Sequence, residues 1–148
     1  MKPLLEFYIR YFDFLYLDPR YRFTDSSTDG ANASLTVAGP DLTWVITIDK
    51  GQPQLSISPT RLRGNGFWIS LVRQYTCGHD YIQYLAVSDE IEWARENIDQ
   101  IEQLFSDPAN LEATCNKLRA LLRSNGEKQW GPPAIGEPSE ADGKGRQR

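Results

Sequence analysis

A chain of 148 residues with 40% apolar side chains can bury a core without metal or disulfide support, and its two cysteines, Cys77 and Cys115, fit a reducing compartment better than a disulfide-stapled scaffold. Sixteen Lys and Arg against twenty Asp and Glu leave a net charge of −4. That balance argues against nucleic-acid phosphates and anionic lipid surfaces as partners.

Residues 3–17 are apolar except for Glu6, Arg10 and Asp13, which recur at i, i+4 and i+7 and form one narrow stripe on a helix. The run is too short to span a bilayer and too charged for the core of a signal peptide. The rest of its circumference is apolar, wider than a surface helix needs, so the helix is expected to be wedged in the core or to form a homodimer. Asp18-Pro19 ends it, because the residue before a proline is pushed out of helical geometry.

From Arg20 to Ser58 the period becomes two. Tyr21 and Phe23, Leu35 and Val37, Leu42, Trp44, Ile46 and Ile48, then Leu55 and Ile57 alternate with polar residues. Thr28-Asp29-Gly30, Gly39-Pro40-Asp41 and Asp49-Lys50-Gly51-Gln52-Pro53 supply turns short enough to make neighbouring strands antiparallel, giving a meander of about four strands. One face is apolar. The other carries Thr24, Ser34, Thr36, Thr43, Thr47, Ser56 and Ser58 and is expected to be wet or lightly covered.

Pro59 closes this pattern and Arg61 to Gly66 is a loop. Phe67 to Cys77 has helical spacing, with Gly78 placed for a left-handed C-terminal cap, while Tyr81 to Val87 fits neither period. Ser88 opens a helix with Asp89 and Glu90 in its first turn and Ile91, Ala94, Ile98, Ile101 and Phe105 on its core face. Asp107-Pro108 then starts a last helix, with Leu111, Cys115, Leu118 and Leu122 on one side and an end at Ser124-Asn125-Gly126. The whole reads as one α+β domain over residues 1–123: an N-terminal helix, an antiparallel meander, and a helical C-terminal half packed on one sheet face. Residues 124–148, rich in Pro, Gly and charge, read as a disordered tail.

The densest reactive cluster is Cys77-Gly78-His79-Asp80, which holds the chain's single histidine. Adjacent residues seldom converge as a nucleophile and base, and no Cys-x-x-Cys or His-x-x-x-His spacing preorganises a metal. No Gly-x-Ser-x-Gly elbow, P-loop or dinucleotide fingerprint occurs, so no metal or cofactor is expected. The stronger pattern is electrostatic. Residues 1–87 and 124–148 each balance their charges, so the whole acidic excess lies in 88–123. Asp89, Glu92, Glu96 and Asp99 recur at i, i+3, i+7 and i+10, on one side of a single helix, with Glu102 beginning the next turn.

These features lead to an expectation of a cytoplasmic binding module rather than an enzyme. It captures a basic partner protein through Asp89, Glu92, Glu96 and Asp99, with Trp93 as an aromatic contact, in the manner of a bacterial toxin immunity protein or secretion chaperone. The alternative is a small-ligand binder or enzyme with a pocket near Cys77, His79 and Asp80.

Overall fold

The computed structural model describes residues 1–62 and 64–130. It is an α+β fold with the expected order of elements. The N-terminal apolar run forms two helices rather than one, α1 (Lys2–Tyr11) and α2 (Asp13–Tyr16), separated by Phe12 at φ −114° and ψ 34°. No glycine or proline marks this break. The Phe12 ring is fully buried against Tyr8, Phe14 and Trp44, with centroids 5.6 to 5.8 Å apart, and tertiary packing of this kind overrides a propensity pattern. The inward side of this segment carries Leu4, Tyr8, Phe12 and Leu15, whereas Leu5 and Ile9 face solvent.

The sheet has five antiparallel strands in sequence order: β1 (Arg22–Asp29), β2 (Asn32–Ala38), β3 (Leu42–Asp49), β4 (Gln52–Pro59) and β5 (Phe67–Trp68). Phe67 and Trp68, expected to begin a helix, instead form the fifth strand; two residues paired to Ser56 and Ile57 are too few to show alternation. The register aligns Leu35, Ile46 and Leu55 across three strands, and beside them Val37, Trp44 and Ile57, all buried on the face that meets the helices. Half-buried Ser34, Thr36, Thr43, Thr47, Ser56 and Ser58 line the other face. Lys50 and Gly51 both have positive φ, at 52° and 79°, the backbone that a two-residue hairpin needs to match strand twist. β1 is exposed along its entire length, and a bulge interrupts its register between Phe23 and Asp25. Such irregularity blunts a free sheet edge against pairing with other chains.

The helical half consists of α3 (Ile69–Cys77), α4 (Val87–Glu96), α5 (Ile98–Leu104) and α6 (Leu111–Trp130). Gly78, at φ 68°, caps α3 as expected; the His79 amide donates to the Gln74 carbonyl and the Gly78 amide to that of Tyr75. The helix foreseen from Ser88 is divided at Asn97, whose side-chain amide donates to the Trp93 carbonyl at 2.8 Å and competes with the helical ladder. Asp107 accepts from the Ala109 amide and the Asn110 side chain, so Asp107-Pro108 builds a turn ahead of α6 rather than its first residues.

α6 continues through Ser124-Asn125-Gly126 to Trp130. The reason lies across the core: Gln74 on α3, 1% exposed, exchanges two amide hydrogen bonds with Asn125, at 2.9 and 2.6 Å, and ties the late turns of α6 to the domain. The rest of the expected tail, 131–148, lies outside the described residues. Phe67 stacks on Phe105, and Ile69, Leu71, Val72, Ile91, Ala94, Ile101, Leu111, Cys115 and Leu118 join the sheet residues in one apolar core. Among the described residues no helix is long and apolar enough to cross a membrane.

Candidate functional site

Along α4, Ile91 and Ala94 turn into the core, and a rotation of 100° per residue therefore sends Asp89, Glu92 and Glu96 outward; all three are exposed. Residues 87–104 contain a single Lys or Arg, Arg95. Its guanidinium is turned toward α1 and α2: Nη1 donates to the Asp13 carboxylate, Nη2 to the Tyr11 carbonyl at 3.0 Å, and the group lies 5.4 Å from the Phe14 ring centroid. Nε approaches Glu92 at 3.4 Å and offsets part of that charge. Asp89, Glu96 and Asp99 form no ion pair among the described residues. The break at Asn97 places Asp99 in the first turn of a separate helix, exposed, so it shares the surface but not a continuous stripe. Trp93 is half-buried and packs against the core, leaving only part of its indole for a partner.

Glu102 has a different role from the stripe it follows in sequence. Its side chain, 12% exposed, accepts the Tyr21 hydroxyl at 2.6 Å and the Arg20 guanidinium at 3.1 Å, and Arg20 also grips Asp18 at 2.8 Å. Burial and the bond to Glu102 push the Tyr21 phenol up, and the Arg20 fork holds the Asp18 carboxyl below its ordinary range. The turn before β1 is thereby fastened to α5. Spacing along the chain could not reveal it, since 81 residues separate Tyr21 from Glu102.

Cys77, His79 and Asp80 are exposed at the C-terminal end of α3, where the glycine cap directs the chain outward. Among the described residues neither the Cys77 thiol nor the His79 ring makes a hydrogen bond, and no group of three His, Cys, Asp or Glu is arranged to hold a metal. The cleft beside this turn is lined by Tyr81, Ile82, Tyr84, Asn125, Lys128 and Gln129, and by none of the three. Cys115 is buried and Cys77 exposed, both as free thiols; burial pushes the Cys115 thiol up.

One carboxyl of α4 is unlike its neighbours. Glu90 is half-buried and accepts the Ser70 hydroxyl, and burial raises its carboxyl above the usual Glu range, against the opposing pull of that bond. A raised folded-state value means the folded chain holds this proton to higher pH than the unfolded chain. Its stability contribution is therefore unfavourable above the raised value and vanishes below the ordinary Glu range. Glu90→Gln, which keeps an acceptor for Ser70, is expected to raise Tm at pH 7 and leave it unchanged near pH 3; calorimetry at the two pH values checks this. No protein-family model, curated protein or solved structure matches the chain.

Proposed function

We propose that this protein is a cytoplasmic binding module that captures a basic partner protein on the outward side of α4 and the start of α5. The observation that supports the reading is the disposition of charge. Asp89, Glu96 and Asp99 stand exposed without ion pairs among the described residues, while the one cation of residues 87–104, Arg95, is spent on Asp13 and Tyr11. Neighbouring like charges on a helix each cost a few tenths of a kcal/mol, so they do not serve helix stability. Concentrated charge of one sign does speed encounter with an opposite surface and rejects like-charged competitors. In this reading the carboxylates steer the partner, the exposed edge of Trp93 supplies apolar contact, and function follows by occlusion, as for immunity proteins and secretion chaperones. In this reading the protein acts by binding alone, and no catalytic step or cofactor takes part.

The test is affinity capture from the native cell lysate with the wild type and with a folded Glu92→Lys, Glu96→Lys, Asp99→Lys variant. One basic protein is expected to be enriched by the wild type and lost with the variant. Its complex is expected to weaken roughly tenfold or more between low and high salt, because exposed charges are screened. Recovery of the same proteins by both chains overturns the reading.

A further inference from the structure

Glu90 lies on a different side of α4 from the exposed stripe, at the wall of a cavity of about 400 Å³. The cavity exists because β5 covers β4 only at Ser56 and Ile57, so that Leu55 and the residues before it, paired with β3 on one side, have no strand on the other. Leu55, Val87 and Leu122 give it aliphatic walls, and Trp68 and Tyr84 give it aromatic ones. Trp68 is 52% exposed, Tyr84 74% and Leu122 49%, so large apolar side chains gather in solvent around one opening. Among the described residues its charged lining is Glu90 alone, with the Ser70 hydroxyl beside it.

A carboxylate drawn out of water ordinarily has a cation at hand. This fold provides one for Glu102, whose side chain is 12% exposed and pairs with Arg20. Among the described residues Glu90 has no ion pair, its hydrogen-bond partner is the neutral Ser70, and no Lys, Arg or His lines the cavity. A neutral apolar occupant would remove more water from Glu90 and compensate none of its charge, and an anion would be repelled. A positive head satisfies the carboxylate, and aromatic faces attract it as well. We propose that this cavity binds an ammonium group carried on an apolar stem, with Glu90 as counter-ion, Trp68 and Tyr84 as aromatic walls, and the aliphatic residues packing the stem. The inference is independent of the acidic face and would survive its failure. A free alkylamine and a lysine side chain of a polypeptide share this chemistry.

Calorimetric titration of the full chain with hexylammonium tests it, with hexan-1-ol as the neutral match. Hexylammonium is expected to saturate one site with Kd in roughly the 0.1–1 mM range set by its few heavy atoms. Hexan-1-ol and the Glu90→Gln variant are each expected to lose about tenfold or more, the worth of one partly desolvated charge contact. Trp68→Leu, at an exposed position that leaves the core intact, is expected to lose several-fold through the aromatic wall. Equal binding of the alcohol, unchanged binding by folded Glu90→Gln, or no saturable binding overturns the proposal. Competition by Nα-acetyl-lysine methylamide at comparable concentration supports the site and assigns it to a lysine side chain; failure to compete while hexylammonium binds supports it as a site for free amines.

Discussion

Replacing Trp44 with alanine is expected to cost about 4 kcal/mol of stability, the usual scale for removing a large aromatic side chain from a core that cannot close around the gap. Trp44 sits mid-strand in β3, paired with Val37 and Ile57, and is fully buried. Its indole meets the Phe12 and Phe14 rings edge-on at 5.8 and 5.9 Å, so the same truncation removes the contact that seats the N-terminal helices on the sheet. One term opposes the loss: the indole N–H is buried with no hydrogen-bond partner among the described residues. Trp44→Phe removes that donor and keeps an aromatic contact, and is expected to cost about 1–2 kcal/mol. Urea unfolding midpoints at constant slope measure both. Equal costs for the two variants would show that a phenyl ring at this position does not restore the contact with Phe12 and Phe14.

The second large effect is expected at Gly39. A methyl group there would lie 2.6 Å from Cε1 of Tyr21, whose ring covers the glycine, so alanine cannot enter unless the ring moves. The ring is held from its other end by the hydroxyl bond to Glu102, and Glu102 holds Arg20. Gly39→Ala is therefore expected to cost about 2–3 kcal/mol, the combined scale of overpacking and of leaving a carboxylate short of a partner. The usual effect of Gly→Ala at an unstrained site is a small gain through the unfolded chain, so the sign itself is diagnostic. In a Tyr21→Leu background the penalty should fall by at least about 1 kcal/mol, a coupling that a double-mutant cycle reads directly. An undiminished penalty would place the clash elsewhere.

The sheet was legible because alternation is a local property: Leu35, Ile46 and Leu55 announce one face, and Lys50-Gly51 and Gly39-Pro40 announce where the chain reverses. Gly78 was legible for the same reason. Part of what sequence reading missed is local, as at Asn97 and Asp107, and the rest depends on residues distant in the chain. The bend at Phe12 accompanies the burial of its ring beside Trp44, and α6 outruns its expected stop because Gln74 reaches Asn125. Within the acidic region the residue types and spacing were visible, but spacing could not distinguish Glu102, bonded to Tyr21 and Arg20, from Asp99, which is open to solvent. The Glu90 cavity had no local signature, since its walls come from β4, β5, the segment before α4, α4 itself and α6.

The bare outer strand sets where the molecule can come apart. β1 is exposed along its length and contributes no residue to the apolar core; its largest apolar side chain, Phe23, is itself exposed, with its ring centroid 5.2 Å from that of Tyr8. Peeling it away would break a ladder of hydrogen bonds yet leave Leu35, Val37, Trp44 and Ile57 packed against the helices. The border of the cooperative unit is therefore expected between β1 and β2, with the β1 amides exchanging their hydrogens at lower free energy than global unfolding requires.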